Sequence, residues 1–449
     1  MKFVKHLALA SLTAALLVAC GGGGNGDQSN RVSYSAVVTF GDSLSDPGAY
    51  KVGPIAQVGG MFTVNLIGGA IGSDPTPSYV WPQLVAASIV GKPSCAARVG
   101  YGTVPVAVPG CTNYAQGGSR VTDPNGPGRS GGALTEPVAA QIQNFLALPA
   151  NGGAFKGTEL VTVMAGANDM FAQSDILTAA ATKVGNDTGN AAFATSIITQ
   201  LVTAAPAANR AGAQATIGAA VMGAAQAANA TPTTIIVAAI TAAATDAAIN
   251  GYSNAAATLA NAANLGATAQ TAATAQGNAA AATYVGTTGI ANATAGMATA
   301  AKELADNVKL ILSKGAKKVV VLNIPDASQT PYGVSSGQAP LVLAMTQAFN
   351  ARLKAELTGV AGVLLLDAFA ENQKQFTNPA QFGLTNVKDM VCKAGPTNPT
   401  GSSLLCNPSN VLAGDTSRYM FADSVHPTPY AHKLLAQFVT KELVLAGWL

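Results

Sequence analysis

Four places in the chain carry short runs of apolar residues that end at turn-forming or polar residues. They are Ala36–Phe40, Leu160–Met164, Val319–Ile324 and Gly362–Leu366. A short apolar run without polar alternation is typical of a parallel strand that is buried on both faces. Helices are predicted over Ala301–Lys314, which precedes the third run, and over the chain end from Tyr430 to Leu449. The pattern therefore predicts buried strands with helices between them.

Between the second and third runs the composition changes sharply. Residues 191–300 are dominated by alanine and contain only two charged residues, Arg210 and Asp246. Alanine is the strongest helix former, so this stretch is predicted to be helical. Breaks are expected around Pro206, Thr231–Pro232, Gly251 and Gly266. We interpret the region at about 175–300 as an insertion of closely packed small-residue helices within a domain that spans 33–449.

Two roles are open for this insertion. It leaves the domain just beyond Asn168, so it could form a cap over a nearby site, or it could be a surface extension without a catalytic part. Its most apolar window, Thr234–Ile249, is too short for a membrane span, includes Asp246, and owes its apolar character to alanine.

The first apolar run leads directly into a turn that carries Ser43. Gly41 accepts backbone angles that other residues resist, so the chain can turn sharply and present Ser43 at the carboxyl edge of the sheet. A serine hydroxyl becomes a good nucleophile only when a neighbouring base takes its proton, and that base is normally a histidine oriented by a carboxylate. Near the other end of the chain, Asp423 and His426 are three residues apart.

The small number of histidines limits the choice of base. The chain has three, at positions 6, 426 and 432. His6 lies in a segment that we expect to be removed, and His432 lies in the predicted terminal helix, where a polar or surface role is favoured. His426 is followed by Pro427 and is placed on a turn. These observations point to His426 as the base.

Four sequence blocks resemble, in order, those of the GDSL or SGNH hydrolases. They are Gly41–Asp46, Asn113–Gly118, Gly166–Asp169 and Asp423–His426. The resemblance implies a three-layer α/β/α sandwich with about five parallel strands. It also implies an esterase or lipase-like enzyme that cleaves carboxylic esters through an acyl-enzyme.

By the same resemblance, Ser43 is the nucleophile, His426 the base and Asp423 its orienting acid. The oxyanion hole would consist of the backbone N–H groups of Ser43 and Gly118 and the side-chain amide of Asn168. Donors of this kind stabilise the negative charge that builds on a carbonyl oxygen under attack. Gly117 is expected to shape the turn beside Gly118.

Other residues compete for these roles. Asp367 ends the fourth apolar run and is the alternative acid, whereas Asp42 and Asp169 are assigned to helix capping and local contacts. Ser335 lies in a glycine-flanked pattern typical of the nucleophile elbow of α/β-hydrolases. That elbow must follow a strand at once, but Ser328–Tyr332 is predicted to be a loop.

The chain begins with a predicted export signal. Residues 1–19 combine two lysines with a short apolar stretch, which is too short for a membrane span. Leu17–Cys20 resembles the lipobox of bacterial lipoproteins, which implies cleavage before Cys20, lipid on that residue and a tether over 20–32. The expected location is the bacterial cell envelope, with a lipid anchor at the outer membrane or cell surface.

The remaining cysteines number four, at positions 95, 111, 392 and 406. In an exported protein they can pair, and three connectivities are possible. Cys95–Cys111 and Cys392–Cys406 are favoured because each closes a short loop. Zinc is the alternative, but neither pair has the close spacing of zinc ligands. We expect no metal and no cofactor.

Charge excludes one class of partner. Without the two lysines of the signal, 22 basic residues face 21 acidic ones, so the chain lacks the positive charge that supports nucleic-acid binding. An ester or lipid is the expected substrate, and the segment from Gly60–Thr63 through Tyr79–Trp81 supplies candidates for an acyl pocket. The alternative is a surface-anchored adhesin or scaffold with an inactive hydrolase fold. The oligomeric state stays open.

Overall fold

A computed structural model describes residues 32–67, 69, 71–101, 104–127 and 135–449. The predicted signal over 1–19 and the predicted lipidation site Cys20 lie outside the described residues. The strands of the described chain are β1 Val37–Gly41, β2 Arg98–Val99, β3 Val106–Ala107, β4 Leu160–Met164, β5 Lys318–Leu322, β6 Val363–Leu366, β7 Asn386–Met390 and β8 Tyr419–Phe421. The four predicted runs correspond to β1, β4, β5 and β6; the bounds of β4 are those predicted, and those of the other three differ by at most two residues.

The α-helices of the same residues occupy the connections between strands. They are α1 Ile55–Val58, α2 Trp81–Val90, α3 Val138–Leu146, α4 Ala167–Thr203, α5 Arg210–Gln226, α6 Pro232–Ile249, α7 Ala262–Tyr284, α8 Ile290–Ser313, α9 Pro331–Ser335, α10 Ala339–Leu357, α11 Ala368–Thr377 and α12 Pro429–Leu445. α12 ends before the predicted Leu449, where Gly447 takes a positive φ of 66° typical of a helix end.

The central sheet has the strand order β1-β4-β5-β6, and all three pairings are parallel. Successive residues of β5 pack into two different hydrophobic cores, one on each face of the sheet, because side chains alternate across a strand. Val319 and Val321 pack with α3, α8 and α10, whereas Val320 and Leu322 pack with α2 and α12. The domain is therefore a three-layer α/β/α sandwich, as expected.

The resemblance implied about five parallel strands, and the fifth position is reduced to a single bridge. Asn113 pairs with Thr39 of β1 in the parallel sense, where the N–H of Thr39 donates to Thr112 and the N–H of Tyr114 donates to Thr39. The segment then bends because the side-chain oxygen of Asn113 accepts the N–H of Ala115 at 3.0 Å. The bend directs the chain towards Gly117 and Gly118.

Helices α4 to α7 form a bundle with its own apolar core. α4 has 37 residues, a length of about 55 Å, so it begins directly after β4 of the central sheet and extends far into the bundle. α4 and α7 cross closely, since a Cβ on Gly277 would lie 2.7 Å from the backbone oxygen of Gly185. The expected break at Gly266 is wrong. Gly266 lies within α7 and packs against Ile236 of α6, and this contact outweighs the low helix propensity of glycine.

By length and composition alone, α6 could cross a membrane. The window Thr234–Ile249, for which the sequence predicts no membrane span, makes up most of this helix. In the structure, α6 packs one face into the core of the bundle through Ile236, Ala239, Ile240 and Ala243. Asp246 of the same helix is buried and hydrogen-bonded to Tyr252.

Candidate active site

The two distant motifs meet at the carboxyl end of β1. Ser43 lies in the turn after β1, and its Oγ is 2.8 Å from Nε2 of His426. The second imidazole nitrogen, Nδ1, is 2.8 Å and 2.9 Å from the two carboxylate oxygens of Asp423. Gly41 is required in this turn because a Cβ there would lie 2.6 Å from the backbone oxygen of Met164 on the neighbouring strand.

The Asp423 carboxylate is buried but well provided with donors. It accepts the backbone N–H groups of Ser403 at 2.8 Å, His426 at 2.8 Å and Val425 at 3.0 Å. Burial opposes its charged form, but the imidazole of His426 and these N–H groups outweigh burial and hold the pKa of Asp423 below its usual value. The group is therefore a carboxylate at neutral pH and can orient the imidazole.

Two disulfides brace the loops that lead to these residues, with the pairing that the sequence favoured. Cys95–Cys111 precedes Asn113, and Cys392–Cys406 closes the loop that carries Ser403. The second bridge thus holds a donor to the Asp423 carboxylate.

The predicted oxyanion-hole residues border the same cavity as Ser43 and His426. Gly118 has a positive φ of 82°, a conformation that favours glycine, and Gly117 has no room for a side chain because a Cβ would lie 2.1 Å from the ring of Phe62. Asn168 lies in the first turn of α4, and one N–H of its side-chain amide donates to the backbone oxygen of Ser119 at 2.9 Å. An amide has two such hydrogens, which leaves the second for another acceptor.

Two buried aspartates differ from their expected roles. Asp42 does not cap a helix, because its carboxylate accepts the N–H of Leu44 within the turn at 3.0 Å, and burial raises the pKa of Asp42 to about 7. Asp169 does not act locally. It accepts from Arg120 at 3.0 Å and from the N–H of Val121 at 3.0 Å, and so joins the start of α4 to the loop after Gly118.

Two residues that hold the turn of Ser43 were not predicted from the sequence. The carboxylate of Asp46 accepts the N–H groups of Gly48, Ala49 and Gly117 at 2.6 to 2.9 Å, and burial raises the pKa of Asp46 to about 6.

Gln141 is the second missed residue. Its side-chain amide pairs with both the N–H and the C=O of Gly41, at 2.9 Å and 2.8 Å. Asp46 lies inside the block Gly41–Asp46, so its place in that motif could have indicated a role at the site. Gln141 lies on α3, 100 residues beyond Gly41, and no motif around it indicates a role.

The competing residues lie elsewhere. Asp367 caps α11 by accepting the N–H of Ala370 at 3.1 Å, and it also accepts from the amide of Asn323 at 2.8 Å. Ser335 is exposed at the end of α9, where its hydroxyl donates to the backbone oxygen of Tyr332 at 3.5 Å. In the described contacts, neither Asp367 nor Ser335 is hydrogen-bonded to His426.

His432 was expected to be polar or at the surface, and this is wrong. It is fully buried, its Nδ1 accepts the N–H of Trp81 at 3.4 Å, and burial lowers its pKa to about 3. Among the residues that the structure describes, no group of three or more His, Cys, Asp or Glu side chains is arranged to hold a metal ion.

A cavity of about 520 Å³ opens beside Ser43 and His426. Its walls are mostly apolar and include Phe62, Met170, Phe171, Ile324, Tyr332 and Phe421. From the predicted acyl-pocket segments, the Phe62 ring lies 4.9 Å from the His426 ring, whereas Trp81 is buried in the core.

The insertion takes no part in this cavity. No described residue between 175 and 300 lines it, because α4 leads the chain away from the site at about 1.5 Å per residue. Both roles of the insertion, cap and surface extension, therefore stay predictions.

Comparisons with known proteins agree with the motifs. The family model described as GDSL-like Lipase/Acylhydrolase matches residues 37–282 and 229–439. Esterase EstA of Pseudomonas aeruginosa is 32% identical over 137 residues, which is 30% of this chain and 20% of that protein. GDSL esterase/lipase APG of Arabidopsis thaliana is 28% identical over 142 residues, 29% of this chain and 40% of that protein.

GDSL esterase/lipase 7 of the same plant is 28% identical over 149 residues, 30% of this chain and 40% of that protein. The chain thus spans between a fifth and two-fifths of the length of these relatives. The family match covers most of the chain, from β1 into α12. The chain belongs to the family of GDSL-like lipases and acylhydrolases.

Proposed function

We propose that the protein hydrolyses carboxylic esters through an acyl-enzyme on Ser43. The observation that carries the proposal is the continuous hydrogen-bonded chain from the Ser43 hydroxyl through His426 to the Asp423 carboxylate. Ser43 Oγ attacks the carbonyl carbon as its proton passes to Nε2 of His426. The imidazolium then gives that proton to the departing alcohol, and Asp423 stabilises the positive ring.

Water completes the cycle. His426 takes a proton from a water molecule that attacks the acyl carbon, and the carboxylic acid leaves as Ser43 regains its hydroxyl hydrogen. In both steps the carbonyl oxygen becomes negatively charged. The N–H groups of Ser43 and Gly118 and the amide of Asn168 are the donors that we propose for this oxyanion.

The character of the cavity supports an apolar acyl group. The cavity offers the oxyanion-hole residues beside aromatic and aliphatic walls, so an acyl chain can leave water while its carbonyl meets polar groups. The relatives named esterase or lipase agree with this substrate class. We therefore propose esters with an apolar acyl chain as substrates, and the alcohol is left open.

The test is hydrolysis of p-nitrophenyl esters by the purified exported part of the chain. Ser43→Ala should lower kcat by about 10⁵-fold or more, and a fluorophosphonate probe should label the wild type at Ser43. Ser335→Ala is the matched control and should hydrolyse at the wild-type rate. Folded protein that neither turns over esters nor reacts with the probe would favour the adhesin or scaffold instead.

We also propose export and a lipid anchor on Cys20. Two disulfides are consistent with an oxidising compartment. A chain expressed in a bacterium with radiolabelled palmitate should carry label, and Cys20→Ser should lose both the label and the membrane association. An unlabelled, released wild-type protein would overturn the anchor and leave the catalytic proposal intact.

A further inference from the structure

The peptide unit that joins Gly117 to Gly118 is held at its oxygen by Tyr50. The hydroxyl of Tyr50 donates to the backbone C=O of Gly117 at 2.7 Å. The preceding peptide is fixed as well, since the N–H of Gly117 donates to Asp46 at 2.9 Å, and the ring of Phe62 covers Gly117. A trans peptide is planar with its C=O and N–H pointing in opposite directions, so a fixed Gly117 oxygen also sets the direction of the Gly118 N–H.

A partly buried series of hydrogen bonds determines where the Tyr50 proton points. The side-chain amide of Gln116 donates to Tyr50 Oη at 2.9 Å, and the Gln116 oxygen accepts the N–H of Glu136 at 2.6 Å. Because Oη accepts from Gln116, its own hydrogen is directed to Gly117. Burial and the nearby Asp46 carboxylate raise the pKa of Tyr50 above its usual value, so the hydroxyl keeps its proton at neutral and alkaline pH.

Aromatic contacts connect Tyr50 to His426 through Phe62. The ring of Tyr50 meets Phe62 edge-on at 5.7 Å, and Phe62 packs on His426. A hydrogen bond to a peptide oxygen polarises the whole peptide, so its N–H becomes a stronger donor. The Gly118 N–H is the donor that receives this effect.

We infer that Tyr50 is a positioning residue of the oxyanion hole: its hydroxyl aligns and polarises the Gly117–Gly118 peptide, whose N–H stabilises the tetrahedral intermediate. The inference rests on the proposed function, because it needs an oxyanion at that N–H. Tyr50 does not touch the reacting atoms through this contact. It acts through the peptide.

The test is Tyr50→Phe, which removes the hydroxyl and keeps the ring. We expect kcat to fall about tenfold with KM within about twofold, less than the hundredfold typical of losing an oxyanion donor outright. A trifluoromethyl ketone, which forms a tetrahedral oxyanion on Ser43, should bind about tenfold more weakly to the variant. Titration of active sites with a fluorophosphonate normalises both values to folded enzyme.

Tyr101→Phe is the matched control. The Tyr101 ring lies 5.9 Å from that of Tyr50, but its hydroxyl donates to Glu136 at 2.5 Å instead of to Gly117. We expect wild-type kcat and inhibitor affinity for this variant.

Three results would overturn the inference for an active enzyme. They are a Tyr50→Phe variant with kcat and ketone affinity within twofold of the wild type, equal losses in both tyrosine variants, and a rise in KM alone. A wild type that neither hydrolyses esters nor reacts at Ser43 would overturn the proposed function, and the inference with it. The two failures are therefore distinguishable by the wild-type measurement.

Discussion

The catalytic domain and the helical insertion stabilise buried polar groups in different ways. Around Ser43 the domain buries Asp46, Asp169 and Asp423, and each accepts a backbone N–H from a residue at least 20 positions away along the chain. The insertion buries Asp246 with partners that are neutral side chains, including Tyr252 and Asn250. Fixed backbone N–H donors hold a carboxylate in one orientation. The contacts of Asp246, by contrast, supply hydrogen bonds to a carboxylate that is buried in a packed bundle.

The two regions also differ in how glycine is used. In the catalytic domain, glycine allows a positive φ at Gly118 or close contact at Gly41 and Gly117. In the insertion, Gly185, Gly189 and Gly277 allow two helices to approach closely. One helix, α4, belongs to both regions, since it begins at the site with Asn168 and ends in the bundle. Glycine thus shapes the turns of the candidate site in one region and the close crossing of two helices in the other.

The largest effect should come from changing aspartate to asparagine at Asp423, and the same change at Asp246 in the insertion provides the comparison. Asp423→Asn should lower kcat about 10⁴-fold, because an amide cannot stabilise the imidazolium and disfavours the required tautomer. Asp246→Asn is the matched change and should leave kcat within twofold. Steady-state ester kinetics measure both. A loss of activity in the Asp246 variant would show that the bundle influences the site.

Glycine to alanine at the helix crossing should affect stability and leave kcat unchanged. A Cβ at Gly277 would meet the Gly185 oxygen at 2.7 Å, so Gly277→Ala should lower the free energy of unfolding by about 1–3 kcal/mol. Gly218→Ala on α5 is the control, since a Cβ there has nothing within 4 Å and alanine should stabilise by up to about 1 kcal/mol. Denaturant unfolding provides the measurement, and equal effects at both positions would contradict the close crossing.

The buried carboxyl of Asp42 should make the catalytic domain less stable as pH rises. Its folded-state pKa is raised to about 7, above an unfolded value of about 4. Between these values the unfolded chain has released the proton and the folded chain retains it, so the free energy of unfolding falls from about pH 4 to pH 7. Asp42→Asn should reduce the fall in Tm between pH 4.5 and 7.5. An unchanged pH dependence in this variant would contradict the assignment.

The smallest effect should come from removing the insertion. Gly289 lies against Leu177, where a Cβ would be 3.3 Å from the leucine side chain, so α4 cut after residue 183 can be joined by a short linker to residue 286. We expect kcat/KM for short and long p-nitrophenyl esters to stay within about threefold of the intact protein. A changed preference for acyl-chain length in the folded, shortened protein would support the role of the insertion as a cap.

Local patterns predicted much of the fold. Apolar runs placed β4 at its observed bounds and the other three strands of the central sheet within two residues, because a strand buried on both faces needs a continuous apolar segment. The motif blocks named Ser43, Asp423 and His426, which the structure brings into hydrogen-bond contact. Short-range signals worked where a role depends on residue type and neighbours in the chain.

The sequence-based predictions were wrong at positions where contacts with residues distant in the chain determine the structure. Gly266 continues a helix because Ile236 packs on it, and His432 is buried because α2 covers it. Asp169 binds Arg120, 49 residues earlier in the chain, although its neighbours suggested a local role. None of these partners is visible in the surrounding sequence.

Local patterns in the sequence by themselves determined the buried strands and the helical insertion, and the resemblance of four sequence blocks to a known family named the candidate nucleophile, base and acid. Only the tertiary structure decided that Asp46, Tyr50 and Gln141 hold the Ser43 turn and the Gly117–Gly118 peptide, and that no described residue between 175 and 300 lines the cavity. The physical reason is that a hydrogen bond acts over about 3 Å in space, whatever number of residues separates its two ends.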